Sequence, residues 1–308
     1  MISFRYHLVS IVAVLLALAL GVLVGASVLD KGLVEQLKRD TSEWQSLATR
    51  YQDQVRILEA GDRAFTEELL PAYLGGRLAG QRVVIVALEG APDQVVTAAR
   101  RALDVAGAEV PGVLIVGTRI VLDEEDVRKE LADALGTSDD TEDLPGEAAR
   151  ALAARLAGEA SRAGGGDLLG RLVEGGFLCP GGCPGLDQDL LAGLGSRGDS
   201  VLVLGAGDGQ GGYSSERFAV PLVQDLVARG VAVAAGEGVE TDNSLVAMLR
   251  SDDGPAGGEA TKMVTVDDLD LPVGEVALVL GLAHLKSTGT GGNYGLRSDA
   301  ADGHVVPA

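Results

Sequence analysis

From Leu8 to Leu29 the chain runs 22 residues without a charge, LVSIVAVLLALALGVLVGASVL. At about 1.5 Å per residue, a helix of that length crosses the hydrocarbon core of a bilayer. Arg5 precedes the run, and Asp30 and Lys31 close it. Tyr6 and His7 fall where an interfacial belt would lie. A cleaved signal peptide is the rival reading, with Leu8–Leu20 as its apolar core and Val24-Gly25-Ala26 as its cleavage site. The run is longer than a signal core and leads straight into a helical pattern, which favours an uncleaved anchor. Lys31, Lys38 and Arg39 against Arg5 lean against export of the C-terminal body, but long domains translocate largely regardless of charge. Orientation therefore stays open. Ala13, Ala17, Gly21 and Gly25 recur every four residues. Such a small-residue stripe lets two membrane helices approach closely. The alternative is chance, since Gly alone numbers 44 in this chain.

Beyond the apolar run the period changes. Val34, Leu37, Thr41, Trp44, Ala48, Tyr51, Val55, Leu58, Asp62, Phe65 and Leu69 alternate at spacings of three and four. That is a heptad seam held for about five heptads. Thr41 and Asp62 are its polar faults, and Pro71 is expected to stop the helix. One reading is a parallel coiled-coil stalk over residues 30–70, continuous with an anchor over 1–29. The other is an amphipathic helix packed on its own domain.

From Arg82 onward the pattern is α/β. RVVIVALEG reads as a fully buried strand, a continuous apolar run between a charge and a glycine. Asp93–Ala106 reads as a helix and Val113–Val116 as a strand. A similar order returns with Ser200–Leu204, Ser215–Ala228 and Val231–Ala235. Met263–Val266 is a last short strand and Pro272–His284 a last apolar helix. The expected fold is a Rossmann-like parallel-sheet domain over residues 81–285, because right-handed crossovers make such units parallel. A helical insert is expected at about 123–175. Residues 286–308, rich in Gly and polar side chains, are expected to be a flexible tail.

Composition narrows the chemistry. Lys and Arg number 25 against 45 Asp and Glu, for a net charge of −20, so a nucleic-acid partner is not expected. With 2 Cys, 3 His and 3 Met, metal chemistry has few soft ligands. Cys179 and Cys183 are the one thiol pair. They suit a disulfide outside the cytoplasm, or a soft ion such as Cu(I) as thiolates. Gly207, Gly209 and Gly212 match G-x-G-x-x-G between a strand and a helix, with Glu237 at the end of the next strand. Asp208 sits where a pyrophosphate would lie, and Glu237 comes late, so a dinucleotide is a weak expectation. The acidic runs at Asp123–Asp126, Asp139–Asp143 and Asp267–Asp270 read as caps and solvated loops. No nucleophile elbow, H-E-x-x-H or P-loop occurs, and no enzyme is expected.

The stretch MISFRYHLVSIVAVLLALALGVLVGASVLDKGL, the Trp-bearing stalk, RVVIVALEGAP, and LPVGEVALVLGLAHL with GGNYG near the end together resemble the mycobacterial copper transport protein B (MctB) family. The resemblance covers essentially the whole chain. It implies an actinobacterial envelope protein of copper homeostasis with one membrane helix, in the cell membrane or outer membrane, its body outside the cytoplasm. It further implies copper as the handled ion and a pore formed by several copies. Self-association would run through Ala17, Gly21 and Gly25 in the membrane and Leu37, Trp44, Tyr51, Val55 and Leu58 in the stalk. The alternative is a membrane-anchored coiled-coil scaffold without transport activity.

Overall fold

A computed structural model describes residues 4–159, 167–180, 199–207, 214–239, 241–257 and 261–303. The chain divides into two compact units, Met1–Arg63 and Ala64–Ala308. The first unit is helical throughout its described length. Helix α1, Phe4–Ala64, has 61 residues, so it is about 90 Å long. Its segment Tyr6–Gly25 is apolar and long enough to cross a membrane. Every described side chain from Lys38 to Ala64 is exposed.

The second unit begins within the same run of helix. A π-turn at Phe65–Leu69 leads into α2, Leu70–Leu74. Pro71 was expected to end the helix, yet the helix passes through it and stops at Gly75. Proline has no N–H for the carbonyl four residues back, and its ring crowds that carbonyl. The wider turn avoids both problems by bonding the Leu70 N–H to the Phe65 carbonyl, five residues back. The same device recurs before Pro221, where the Val220 N–H bonds the Ser215 carbonyl.

The body then alternates strands and helices. In chain order these are β1 (Val83–Leu88), α3 (Asp93–Val105), β2 (Val113–Val116), α4 (Glu125–Leu135), α5 (Leu144–Leu156), α6 (Leu168–Glu174) and β3 (Leu178–Pro180). Next come β4 (Ser200–Leu204), a π-turn (Ser215–Ala219), α7 (Val220–Ala228), β5 (Ala232–Gly236), α8 (Leu245–Arg250), β6 (Met263–Val266), α9 (Pro272–Thr288) and β7 (Gly292–Tyr294). The strands make one seven-stranded sheet in the order β3-β2-β1-β4-β5-β6-β7. Every neighbouring pair is parallel except β2 with β3.

Both faces of the sheet are covered, which is why its central strands read as unbroken apolar runs. Alternate residues of β1 serve opposite cores. Val84, Val86 and Leu88 join a core formed with α4 to α8. Val83, Ile85 and Ala87 join the other, formed with α2, α3 and α9. The segment expected as a helical insert is thus one wall of the first core. Phe177 and Phe218, among the largest fully buried side chains, sit in that core. The rest of that core is mostly Leu, Val and Ala, as a chain with 3% aromatics requires.

The expected flexible tail is corrected over its described part. Helix α9 runs on to Thr288, and Gly292–Tyr294 pair in parallel with Val264–Val266 of β6. Asn293 and Tyr294 are buried. The segment carries no apolar run because polar bonds hold it. The Asn293 N–H donates to Asp302 Oδ2 at 2.8 Å, and its side-chain amide donates to the Ala256 carbonyl at 3.1 Å.

Candidate functional site

In a parallel sheet, ligands settle beyond the carboxyl ends of the strands where the strand order reverses. Here the reversal lies between β1 and β4. The loops after these two strands touch there, the Gly207 N–H donating to the Gly90 carbonyl at 2.9 Å. A side chain at Gly207 would press on Pro92 at 3.3 Å and on that carbonyl at 3.4 Å. Close packing of the two loops therefore accounts for Gly207 without a bound phosphate. Gly209 and Gly212, the other glycines of the motif, lie outside the described residues.

A carboxylate succeeds each of three strands at this edge, and each is already engaged. Glu89, after β1, accepts from the Thr118 N–H at 2.6 Å and from its hydroxyl at 2.9 Å. Asp267, after β6, pairs with the buried Arg250 at 2.6 Å and accepts from the Leu296 N–H at 2.7 Å. Glu237, after β5, is buried, where it accepts from the Ser244 hydroxyl and, at 3.2 Å, from the Val246 N–H. Ser244 in turn caps α8 by accepting from the Ala247 N–H at 2.8 Å. The residue that a dinucleotide site would turn toward a ribose is thus committed to the start of α8. Among the described residues, no group of three or more His, Cys, Asp or Glu is placed to hold a metal ion.

Burial pushes the Glu237 carboxyl above its ordinary value of 4.5, against the Ser244 and Val246 donors that pull it down. Glu275, at the start of α9, is raised for the same first reason, opposed by its ion pair with Arg101. A raised acid gives stability that is complete below its unfolded value and is lost as pH rises through its folded value. Glu237→Gln copies the protonated form, its amide donating to the Ser244 hydroxyl and its oxygen accepting from Val246. We expect this variant to gain stability over the parent as pH climbs above about 4.5. Melting curves at stepped pH check this; a constant offset between the two proteins would refute it.

Cys179 lies in β3, opposite Ile115 of β2, and is disulfide-bonded. Cys183, the chain's other cysteine, lies outside the described residues. A bonded sulfur offers no thiolate, so Cys179 would need reduction before it could ligate copper.

The residues expected to mediate self-association all lie on α1. Ala17, Gly21, Trp44, Tyr51, Val55 and Leu58 are exposed, with Trp44 at 70%. The side chain of Leu37 lies outside the described set. A Cβ added at Gly21 or Gly25 would meet nothing within 4 Å, so no contact within the chain requires glycine there.

One surface feature was missed in the sequence. An apolar groove of about 670 Å³ lies in the second unit, lined by Phe65, Leu69, Ala72, Tyr73, Val273 and Val276. Its signal was present in part, because Phe65 and Leu69 close the heptad seam. Nothing in the sequence announced that the start of α9 would form the opposite wall.

Comparison with known proteins gives one consistent result. The family profile described as "Copper transport outer membrane protein, MctB" matches residues 1–305. The copper transporter MctB of Mycobacterium tuberculosis is 28% identical over 322 aligned positions, covering 96% of each chain. That of Mycobacterium leprae is 29% identical over the same span and coverage. With the profile spanning nearly every residue from the apolar helix to the C-terminal strand, the chain belongs to the MctB family of copper transport proteins.

Proposed function

We propose that this protein limits copper in the cell from a position in the envelope, without catalysis, as a self-associated single-pass membrane protein. The observation that carries this reading is the match of the MctB profile to residues 1–305, anchor, stalk and body together. The charge of −20 supports it, since an acidic body concentrates cations nearby and repels nucleic acid. The body is read as Rossmann-like in strand order, serving here as a scaffold with its carboxyl-edge acids turned to internal bonds.

A pore is the finer part of the proposal. One helix encloses no lumen, and an ion path across a bilayer needs backbone and polar groups shielded from lipid. Several copies are therefore required, and Ala17, Gly21 and Gly25 with the exposed seam offer the contacts. The exposed seam also favours a second reading, an envelope scaffold without transport. Deleting the gene and measuring intracellular copper separates the two. We expect the deletion strain to accumulate copper, to lose copper tolerance, and to recover both on complementation. Normal copper and normal tolerance, with altered cell shape, would sink the copper reading and leave the scaffold.

A further inference from the structure

The net charge of this chain is confined to one of its two units. Residues 1–63 carry 7 Lys and Arg and 7 Asp and Glu, so the first unit is neutral. Residues 64–308 carry 18 Lys and Arg against 38 Asp and Glu, so the whole charge of −20 belongs to the α/β body. Much of the excess is on its surface. From Asp123 to Glu147, along α4 and the loop into α5, 11 carboxylates stand against 2 bases, and all 11 are exposed. The two units therefore act in opposite senses on self-association. Helix α1 offers exposed apolar side chains and no net charge. A body far from neutrality repels its own copies.

We propose that cations control the self-association of this protein, freeing α1 to pair by screening the charge of the bodies. The inference rests on the self-association proposed above and adds its regulation. The body follows α1 without a linker, so covalent continuity alone brings two bodies together when their α1 helices pair in one membrane. How far each body is felt then depends on salt. A body of 245 residues has a radius of gyration of about 18 Å. The screening length is about 30 Å at 10 mM ionic strength and about 8 Å at 150 mM. In dilute salt each body feels the full charge of its neighbour; in concentrated salt only groups near contact are felt. The cations act as a diffuse cloud, so no coordination site is called for. An assembly of several copies, the form a pore requires, is thus favoured where cations gather around the acidic bodies.

Sedimentation equilibrium of the full-length chain in a nonionic detergent, with EDTA present and KCl at about 10 or about 300 mM, tests the proposal. We expect the dissociation constant of the self-associated form to fall by at least about tenfold from the lower salt to the higher. A second protein carries Glu124→Gln, Glu125→Gln, Asp139→Asn, Asp140→Asn and Glu142→Gln, all at exposed side chains outside the ion pairs of the body, which leaves a charge of −15. At low salt it should associate at least about threefold more tightly than the parent, and at high salt the two should agree. Asp242→Asn with Asp252→Asn and Asp253→Asn, exposed in other loops, repeats the test should the first set disturb the fold. Association that salt leaves unchanged or weakens, or that is equal in parent and variant at low salt, would overturn the charge control and keep the self-association. Monomer at every salt, in parent and variant alike, would overturn both.

Discussion

Replacing Arg250 by Ala is expected to destabilise the body by about 3–5 kcal/mol, the cost of stranding a buried partner charge. Arg250 and Asp267 have side chains 2% and 1% exposed, and their ion pair is 2.6 Å long. The guanidinium also donates to the Thr265 hydroxyl at 2.8 Å, to Asp299 at 2.8 Å and to the Tyr294 carbonyl at 2.7 Å. One side chain on α8 thus holds β6, β7 and the loop beyond. Without it, the side chain of Asp267 keeps, among the described residues, the backbone donors of Leu296 and Arg297. For a body of this size the melting temperature should fall by roughly 10 °C or more. A fall of only a degree or two in the detergent-solubilised chain would show that the pair is not a principal fastening.

Gly291→Ala should be at least as damaging, by a steric route. A Cβ on Gly291 would overlap the backbone of Met263 at the start of β6. Met263 cannot yield, because it is paired with Val233 of β5. Gly291 cannot withdraw either without losing its 2.8 Å bond to the Thr261 carbonyl. We expect β7 to leave the sheet, with a loss above about 4 kcal/mol, in the range kept for strained or broken backbone. The Asn293 amide, buried and bonded to Asp302 in the parent, should then exchange freely with solvent, and unchanged protection of that amide would reject the argument. Combining Gly291→Ala with Arg250→Ala should cost less than the sum, because both release the same segment.

These two positions also show where a linear sequence is mute. Strands β1, β4 and β6 lie close to where their apolar runs placed them, since a strand buried on both faces advertises itself by composition. Helix α3 lies within a residue of its expected bounds, and α4, α5 and α6 all fall within the helical insert expected at about 123–175. The strand Gly292–Tyr294 has neither signal. It is a strand because it pairs with β6, and Arg250, 44 positions earlier, helps to hold it there by donating to the Tyr294 carbonyl. Short β3 and α8 escaped for the same reason.

The candidate sites divide in the same way. Glu237 and Gly207 matched a phosphate-binding pattern as letters. In space, Glu237 closes on the start of α8 and Gly207 packs under Pro92. Spacing could not reveal this, because α8 and the β1 loop come from distant parts of the chain. The groove beside Phe65 and Leu69 was half visible, as the end of a seam.

The long apolar helix, the heptad seam and the buried strands were all legible in the order of residues. Each rests on a local repeat in which polarity follows the geometry of one element. The order of the strands, the capture of the C-terminal segment, the passage of the helix through Pro71 and the commitment of Glu237 were settled by the folded arrangement. Each of these depends on which distant groups meet, and hydrogen bonds and ion pairs gain their strength from burial that the fold alone supplies.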